Sequence, residues 1–195
     1  NERPEKKKVI GDKMLYIMRH GKTDWNAIHK LQGRTDIPLN DEGREMAKAA
    51  GSKYQDVHLD ICFCSPLIRA RETAQLVLAG RDVPVVYDER LLEMSFGIYE
   101  GTENSLQIPN CPINVCFQNP SQYMPVEGGE GFDELFARTG SFLKEMVDPL
   151  LKENKDILIV GHGAMNSSIV CQVRGIPLHR FWEAGIENCK LIRLV

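Results

Sequence analysis

Two short apolar runs, far apart in the chain, each end in a histidine beside glycine, and this coincidence constrains the fold more than any other feature. Leu15-Tyr16-Ile17-Met18 leads into Arg19-His20-Gly21, and Ile157-Leu158-Ile159-Val160 leads into Gly161-His162-Gly163. Continuous apolar segments of this length suit strands covered on both faces, as in a parallel sheet. Such sheets bind ligands at the carboxyl ends of their strands. Each run therefore reads as a strand delivering a histidine to one crevice. Gly21 has no side chain, so a substrate or an amide can come close to the His20 ring.

The segments between these runs alternate in type. Asn40 stands at an N-cap position, with Asp41 and Glu42 in the first turn, and Met46, Ala47, Ala50 and Tyr54 follow at helical spacing. Residues 59–64 read as a strand. Ser65-Pro66 opens a helix with proline at a permitted first-turn position, and Ala70, Thr73, Ala74 and Val77 mark its buried face. Residues 83–87 read as a short strand, and 132–154 as a helix that Pro149 kinks or ends. A helix over 164–173, a short one near 178–182 and a last strand at 191–195 complete the order. This alternation predicts an α/β fold, a three-layer α/β/α sandwich about a mostly parallel central sheet.

Residues 22–40 form a long loop over the strand ends, and loops of that length tend to be functional. Residues 94–131, rich in proline and glycine, read as a lid-like insertion rather than core. The chain is expected to form a single domain over 1–195, since 195 residues build one substantial core and not two. Residues 1–12, with Lys6-Lys7-Lys8, read as a solvated lead-in.

A net charge of −3 gives no global basic field, so neither nucleic acid nor an anionic membrane surface is expected as a partner. No apolar stretch approaches the roughly 20 residues needed to cross a bilayer. These features point to a soluble, cytoplasmic protein. The six cysteines form no CxxC pair of the kind zinc sites use. They read as buried free thiols, although Cys111 and Cys116 share a loop and could cross-link. Nothing in the sequence sets an oligomeric state.

Placing residues at strand ends collects Arg19, His20, Asn26, Arg69, Glu93 and His162 around one crevice. Two arginines and two histidines make it locally positive, which suits a phosphoryl group held by forked guanidinium donors. Arg71 faces away from Arg69, because neighbours on a helix do not share a face. His29, His58 and His179 read as surface histidines. No His-x-x-x-His or similar spacing supports a metal site at His20, His162 and Glu93. Relative to Cys64, the position where a cysteine phosphatase needs its arginine holds Ala70.

Four separated motifs, in order, resemble the histidine phosphatase superfamily. They are Arg19-His20-Gly21 with Trp25-Asn26; Ser65-Pro66-Leu67-Ile68-Arg69-Ala70-Arg71-Glu72-Thr73-Ala74; Leu92-Glu93 with Gly97 and Glu100-Gly101; and Gly161-His162-Gly163. The resemblance implies a phosphoglycerate mutase-like fold and a nucleophilic His20 that carries the phosphoryl group as phosphohistidine. It implies that Arg19, Arg69 and His162 grip the phosphoryl oxygens, that Asn26 adds a donor, and that Glu93 protonates the leaving oxygen. Gln32 and Gly33 of the long loop, and Gly163 beside His162, complete the expected substrate-binding set. Like-charge repulsion from Arg19 and Arg69 should keep His20 neutral, and a bound phosphate dianion should raise the Glu93 pKa toward that of a general acid. No cofactor or metal is implied, and the expected partner is a small phosphorylated metabolite.

The superfamily holds phosphatases and cofactor-dependent phosphoglycerate mutases. A mutase needs extra cations for a carboxylate and a second phosphate, usually from the insertion, yet residues 91–137 contain no lysine or arginine. That segment instead offers Phe96, Tyr99, Phe117, Tyr123 and Met124 as pocket wall, and it is shorter than the mutases carry. The run 125–130 before a helix resembles the phosphatase branch, with Gly131 where that branch often has serine. The expected activity is therefore metal-independent hydrolysis of small phosphomonoesters, with a mutase as the alternative. A silent phosphoester-binding protein is a third reading, opposed by the presence of both histidines, both arginines and Glu93. Lys22, where the family often has glutamate, is expected to face solvent.

Overall fold

The two apolar runs are neighbours in the sheet. The computed structural model describes residues 13–195, so the lead-in 1–12 lies outside the described residues. Within them one sheet contains β1 (Leu15–Arg19), β2 (Ile61–Cys64), β3 (Val85–Tyr87), β4 (Ile157–Gly161) and β5 (Leu191–Arg193). The order is β3-β2-β4-β1-β5, parallel except for the β1–β5 pair.

Side chains alternate across this sheet as strand geometry requires. Met18, Cys62, Cys64, Leu158 and Val160 face one layer, which contains Ala47 and Ala50 of α2 (Asp41–Lys53) and Ala70, Ala74 and Val77 of α3 (Ile68–Val77). Leu15, Ile17, Phe63, Ile157 and Ile159 face the other, with Leu135 and Phe142 of α5 (Phe132–Phe142) and Met165 and Ile169 of α7 (Gly163–Arg174). The result is the expected α/β/α sandwich. At the amino edge of the sheet Asp156 ties three strands together: its Oδ1 accepts from Met14 N, its carbonyl accepts from Asp60 N, and its N–H donates to Asp60 Oδ2.

Several local expectations are corrected. The long loop contains a four-residue helix, α1 (Asp24–Ala27), started by a Thr23–Asn26 capping box. Ser65-Pro66 does not begin α3. Ser65 N still donates to Val160 O in the sheet ladder, and the first helical residue is Ile68, whose N–H is capped from the loop by Asp36 Oδ1 at 2.7 Å. Of the two outcomes expected at Pro149, the helix does not end there but is disturbed just before it. The chain widens into a π-turn over Leu143–Val147 and runs on through Asp148–Lys152, which relieves the clash between the proline ring and the preceding turn.

The segment 94–131 is not excluded from the core. Met94, Phe96, Cys111, Ile113, Cys116 and Tyr123 are buried in the same cluster as Ile17 and Ile159. All six cysteines are buried and free, so Cys111 and Cys116 are not cross-linked. Lys22 is paired with Glu42 at the surface, and Arg71 lies over the Tyr87 ring. No helix among the described residues is long and apolar enough to cross a membrane.

Gly21 serves packing rather than substrate approach. A Cβ there would stand 2.5 Å from the Gly43 carbonyl oxygen, and one on Gly43 would collide with the backbone of Lys22. The loop after β1 and the start of α2 touch backbone to backbone. Backbone cannot swing aside as a flexible side chain can, so Gly43→Ala is expected to lower stability by about 1–3 kcal/mol, read as a lower urea midpoint at unchanged m-value.

Candidate active site

The β1–β4 register pairs Arg19 with Gly161, so the next residue on each strand is a histidine. His20 N donates to Gly161 O at 2.9 Å, and the two ring centroids lie 5.2 Å apart. His20 Nδ1 sits 2.6 Å from the Gly21 carbonyl. A carbonyl only accepts, so Nδ1 carries the proton and Nε2 keeps its lone pair. Asn188 Nδ2 donates to His20 O at 2.6 Å and fixes the backbone beneath it.

Both imidazoles are held well below their ordinary pKa. Burial is the largest cause for each, followed by the Arg69 charge. Both rings are therefore neutral at physiological pH. His162 Nε2 lies 2.7 Å from Ser65 Oγ, an anchor that reading Ser65-Pro66 as a helix opener had hidden.

Arg69 is fully buried. Its Nη1 and Nη2 donate to the carbonyls of Thr35 (2.9 Å) and Gly33 (2.6 Å), and burial lowers its pKa to about 10. Arg19 is lowered too, by burial against the opposing pull of Glu93, and its Nη1 donates to Ile186 O. The Nε of each arginine and Nδ1 of His162 are buried without a protein partner. Leaving a buried donor unpaired costs about 1–3 kcal/mol. Two such guanidinium donors, on residues that line one crevice, suit an oxyanion.

Glu93 sits across the crevice against the first turn of α7. Its Oε1 accepts from Met94 N (2.8 Å) and Met165 N (2.9 Å), and its Oε2 from Ala164 N (3.1 Å). The carboxylate thus occupies the positive end of that helix, and Gly163 leaves the space between it and Arg19 open.

A cavity of about 180 Å³ is lined by Arg19, His20, Arg69 and Glu93 together with Asn26, Gln32, Gly33 and Gly163. Of the expected site residues, His162 alone is not in the lining. It is fully buried and packed against His20. Asn26 Oδ1 accepts from Thr23 N, which leaves its amide nitrogen to donate. Gln32 Oε1 accepts from Thr23 Oγ1.

The aromatic wall is only partly as expected: Phe96 and Phe117 line the cavity, whereas Tyr123 is buried in the core and Met124 is exposed. Trp182, from the 178–184 turn, also lines it and carried no sequence signal. Glu100, part of the third motif but given no role there, has its Oε1 accepting from Arg34 N and Phe96 N and its Oε2 from Thr35 N and Oγ1. Glu100 thereby holds the carbonyls that grip Arg69. Glu130 is buried between Arg138 and Arg34, and Arg34 Nε donates to Glu93 O. His58 is exposed, as its reading as a surface histidine expects, and lies 2.9 Å from Asp156 at the far edge of the sheet.

A parallel sheet that brings two neutral histidines and two arginines together at its carboxyl edge defines an α/β protein with a histidine-centred oxyanion site. Residues 15–195 match the histidine phosphatase superfamily (branch 1), and the chain belongs to that superfamily. Phosphoserine phosphatase 1 of Hydrogenobacter thermophilus is 26% identical over 89% of this chain and 82% of its own. A probable phosphoglycerate mutase of Erwinia tasmaniensis, GpmB, is 28% identical over 92% of this chain and 83% of its own. Bacillus stearothermophilus YhfR superposes with a TM-score of 0.83 at 31% identity, covering 92% of this chain and 89% of that one.

Two outcomes follow from this geometry. The unfolded chain takes up protons near the ordinary histidine value of 6.5, while folded His20 and His162 resist them. Stability is then full above that pH and declines as pH falls from it toward the depressed folded values. Urea midpoints against pH should show this decline, and His20→Asn should make it shallower. Glu100→Gln turns an acceptor into a donor facing the amides of residues 34–35 or 96. It is expected to cost roughly 1–3 kcal/mol and to speed proteolysis within residues 30–37.

Proposed function

We propose that this chain hydrolyses small phosphomonoesters through a phosphohistidine on His20, with no metal ion taking part. The observation that carries this reading is the tautomer of His20. Its Nδ1 proton is committed to Gly21 O, so Nε2 offers a lone pair to phosphorus in the cup formed by Arg19 and Arg69. The guanidinium groups balance charge on the transferring oxygens. As the N–P bond forms, the ester P–O bond breaks and the leaving oxygen takes a proton from Glu93. Glu93 then accepts a proton from water, which attacks phosphorus, breaks the P–N bond and releases phosphate. Two moderate displacements replace one difficult one.

The likeness to GpmB supports the mutase alternative. Two features favour hydrolysis over it. The segment 91–137 carries no lysine or arginine for a second anionic group. Lys30, beside the cup, lies 3.2 Å from Glu103. The partner in this reading is a small phosphorylated metabolite, and six buried free thiols suit a reducing, cytoplasmic setting.

Phosphate release from a nitrophenyl ester should survive excess chelator and fall at least about a thousandfold in His20→Ala. Glu93→Gln should lower kcat by roughly 10²–10⁴ on an alkyl ester, and by less on the nitrophenyl ester, whose leaving oxygen needs no proton. Chelator sensitivity or an active His20→Ala overturns the proposal. Phosphoryl exchange between glycerate hydroxyls that outpaces hydrolysis establishes the mutase.

A further inference from the structure

A second cavity, about 420 Å³, lies beside the phosphate cup and shares Asn26, Lys30, Leu31 and Phe117 with it. It lies within the range of small-ligand sites, and a serine-sized leaving group would leave most of it to water. It is also built in advance. Leu31 N donates to Thr102 O, Gly101 N to Leu31 O and Asn104 N to His29 O. These bonds tie the insertion to the long loop as a short antiparallel ribbon. His29 (φ 55°) and Asn104 (φ 47°), both in the left-handed region, meet across that ribbon and both line the cavity. Backbone held in that region by non-glycine residues clusters at ligand clamps.

The chemistry of the walls is specific. The Lys30 ammonium, paired with Glu103, also lies 5.5 Å over the Trp25 ring, and among the described residues no other lysine or arginine lines the cavity. The polar groups include three carboxamides, Asn26, Asn104 and Gln107, and the Ser105 hydroxyl. A carboxamide sets a donor beside an acceptor, the pattern that adjacent hydroxyls match. Phe117 supplies a flat apolar wall, fixed between Phe96 at 5.6 Å and Trp182 at 5.3 Å, and aromatic faces of this kind receive the face of another ring.

We infer that this chamber holds the leaving group and selects a neutral, ring-bearing polyol, so that the preferred substrates are phosphate esters of sugars or nucleosides. The inference rests on the phosphatase reading above and narrows it. Asn26, bordering both cavities, is placed to donate its free amide hydrogens near the bridging ester oxygen.

The test compares kcat/KM of the full chain on glucose 6-phosphate, a nucleoside 5′-monophosphate, phosphoserine and glycerol phosphate, by phosphate release. At least one ring ester should exceed phosphoserine by about tenfold or more, and the two ring arms separate sugar from nucleoside. Asn104→Gly, which keeps the backbone conformation, and Gln107→Ala should each raise KM for the ring ester about three- to tenfold. The rise for phosphoserine should be smaller. Phosphoserine turned over as well as the ring esters, or an equal KM rise for both, overturns the inference. If no ester is hydrolysed, calorimetric titration of His20→Ala with the same esters decides. Tighter binding of a ring ester than of phosphoserine upholds the chamber while the hydrolysis reading fails, and equal or absent binding removes both.

Discussion

Everything at the carboxyl edge depends on one backbone pairing, the parallel register that sets Arg19 against Gly161. A slip of one residue would turn every side chain of a strand to the other face. His20 would then leave the crevice, and Met18 would exchange places with Ile17 in the two cores. Burial on both sides of the sheet therefore specifies the chemistry as strongly as it specifies the fold. Ile17, Ile159, Met18 and Val160 are all fully buried, so the register that best removes apolar surface from water is also the one that brings the imidazoles together.

The same burial sets the electrostatics. Two guanidinium groups and two imidazoles share a space with little water, and the arginines remain charged because carbonyls of Gly33, Thr35 and Ile186 and the carboxylate of Glu93 surround them. The histidines, with no counter-charge of their own, stay neutral instead. A buried like-charge cluster is costly until an anion joins it. On the proposed reading, binding energy and nucleophile readiness thus have a common source, and the site is organised before substrate arrives.

Much of this was legible in the sequence. Strand identity came from uninterrupted apolar runs, the N-cap of α2 from Asn40, and the buried face of α3 from Ala70, Thr73, Ala74 and Val77, all of which are buried. Local pattern failed where a residue answers to a distant partner. Ser65 looked like a helix opener because its bond to His162 joins positions 97 apart. The insertion looked like surface because prolines and glycines hide the spacing of Met94, Ile113 and Cys116. Glu100 stood in a motif but its role was hidden, since it receives bonds from a loop 65 and 66 positions upstream, and Trp182 gave no sign because it enters from a short turn near the C-terminus. The left-handed backbone at His29 and Asn104 was equally invisible, as neither residue type demands it.

Glu100 deserves a last consequence. It belongs to the segment that walls the second cavity, yet its carboxylate orders the very turn whose carbonyls clasp Arg69. On the proposed reading, recognition and phosphoryl grip are therefore soldered at one side chain. Anyone wishing to transplant residues 94–131 from a relative to alter which ester is favoured would have to bring along a carboxylate of matching reach. Otherwise the graft would slacken the cationic clamp in the same stroke.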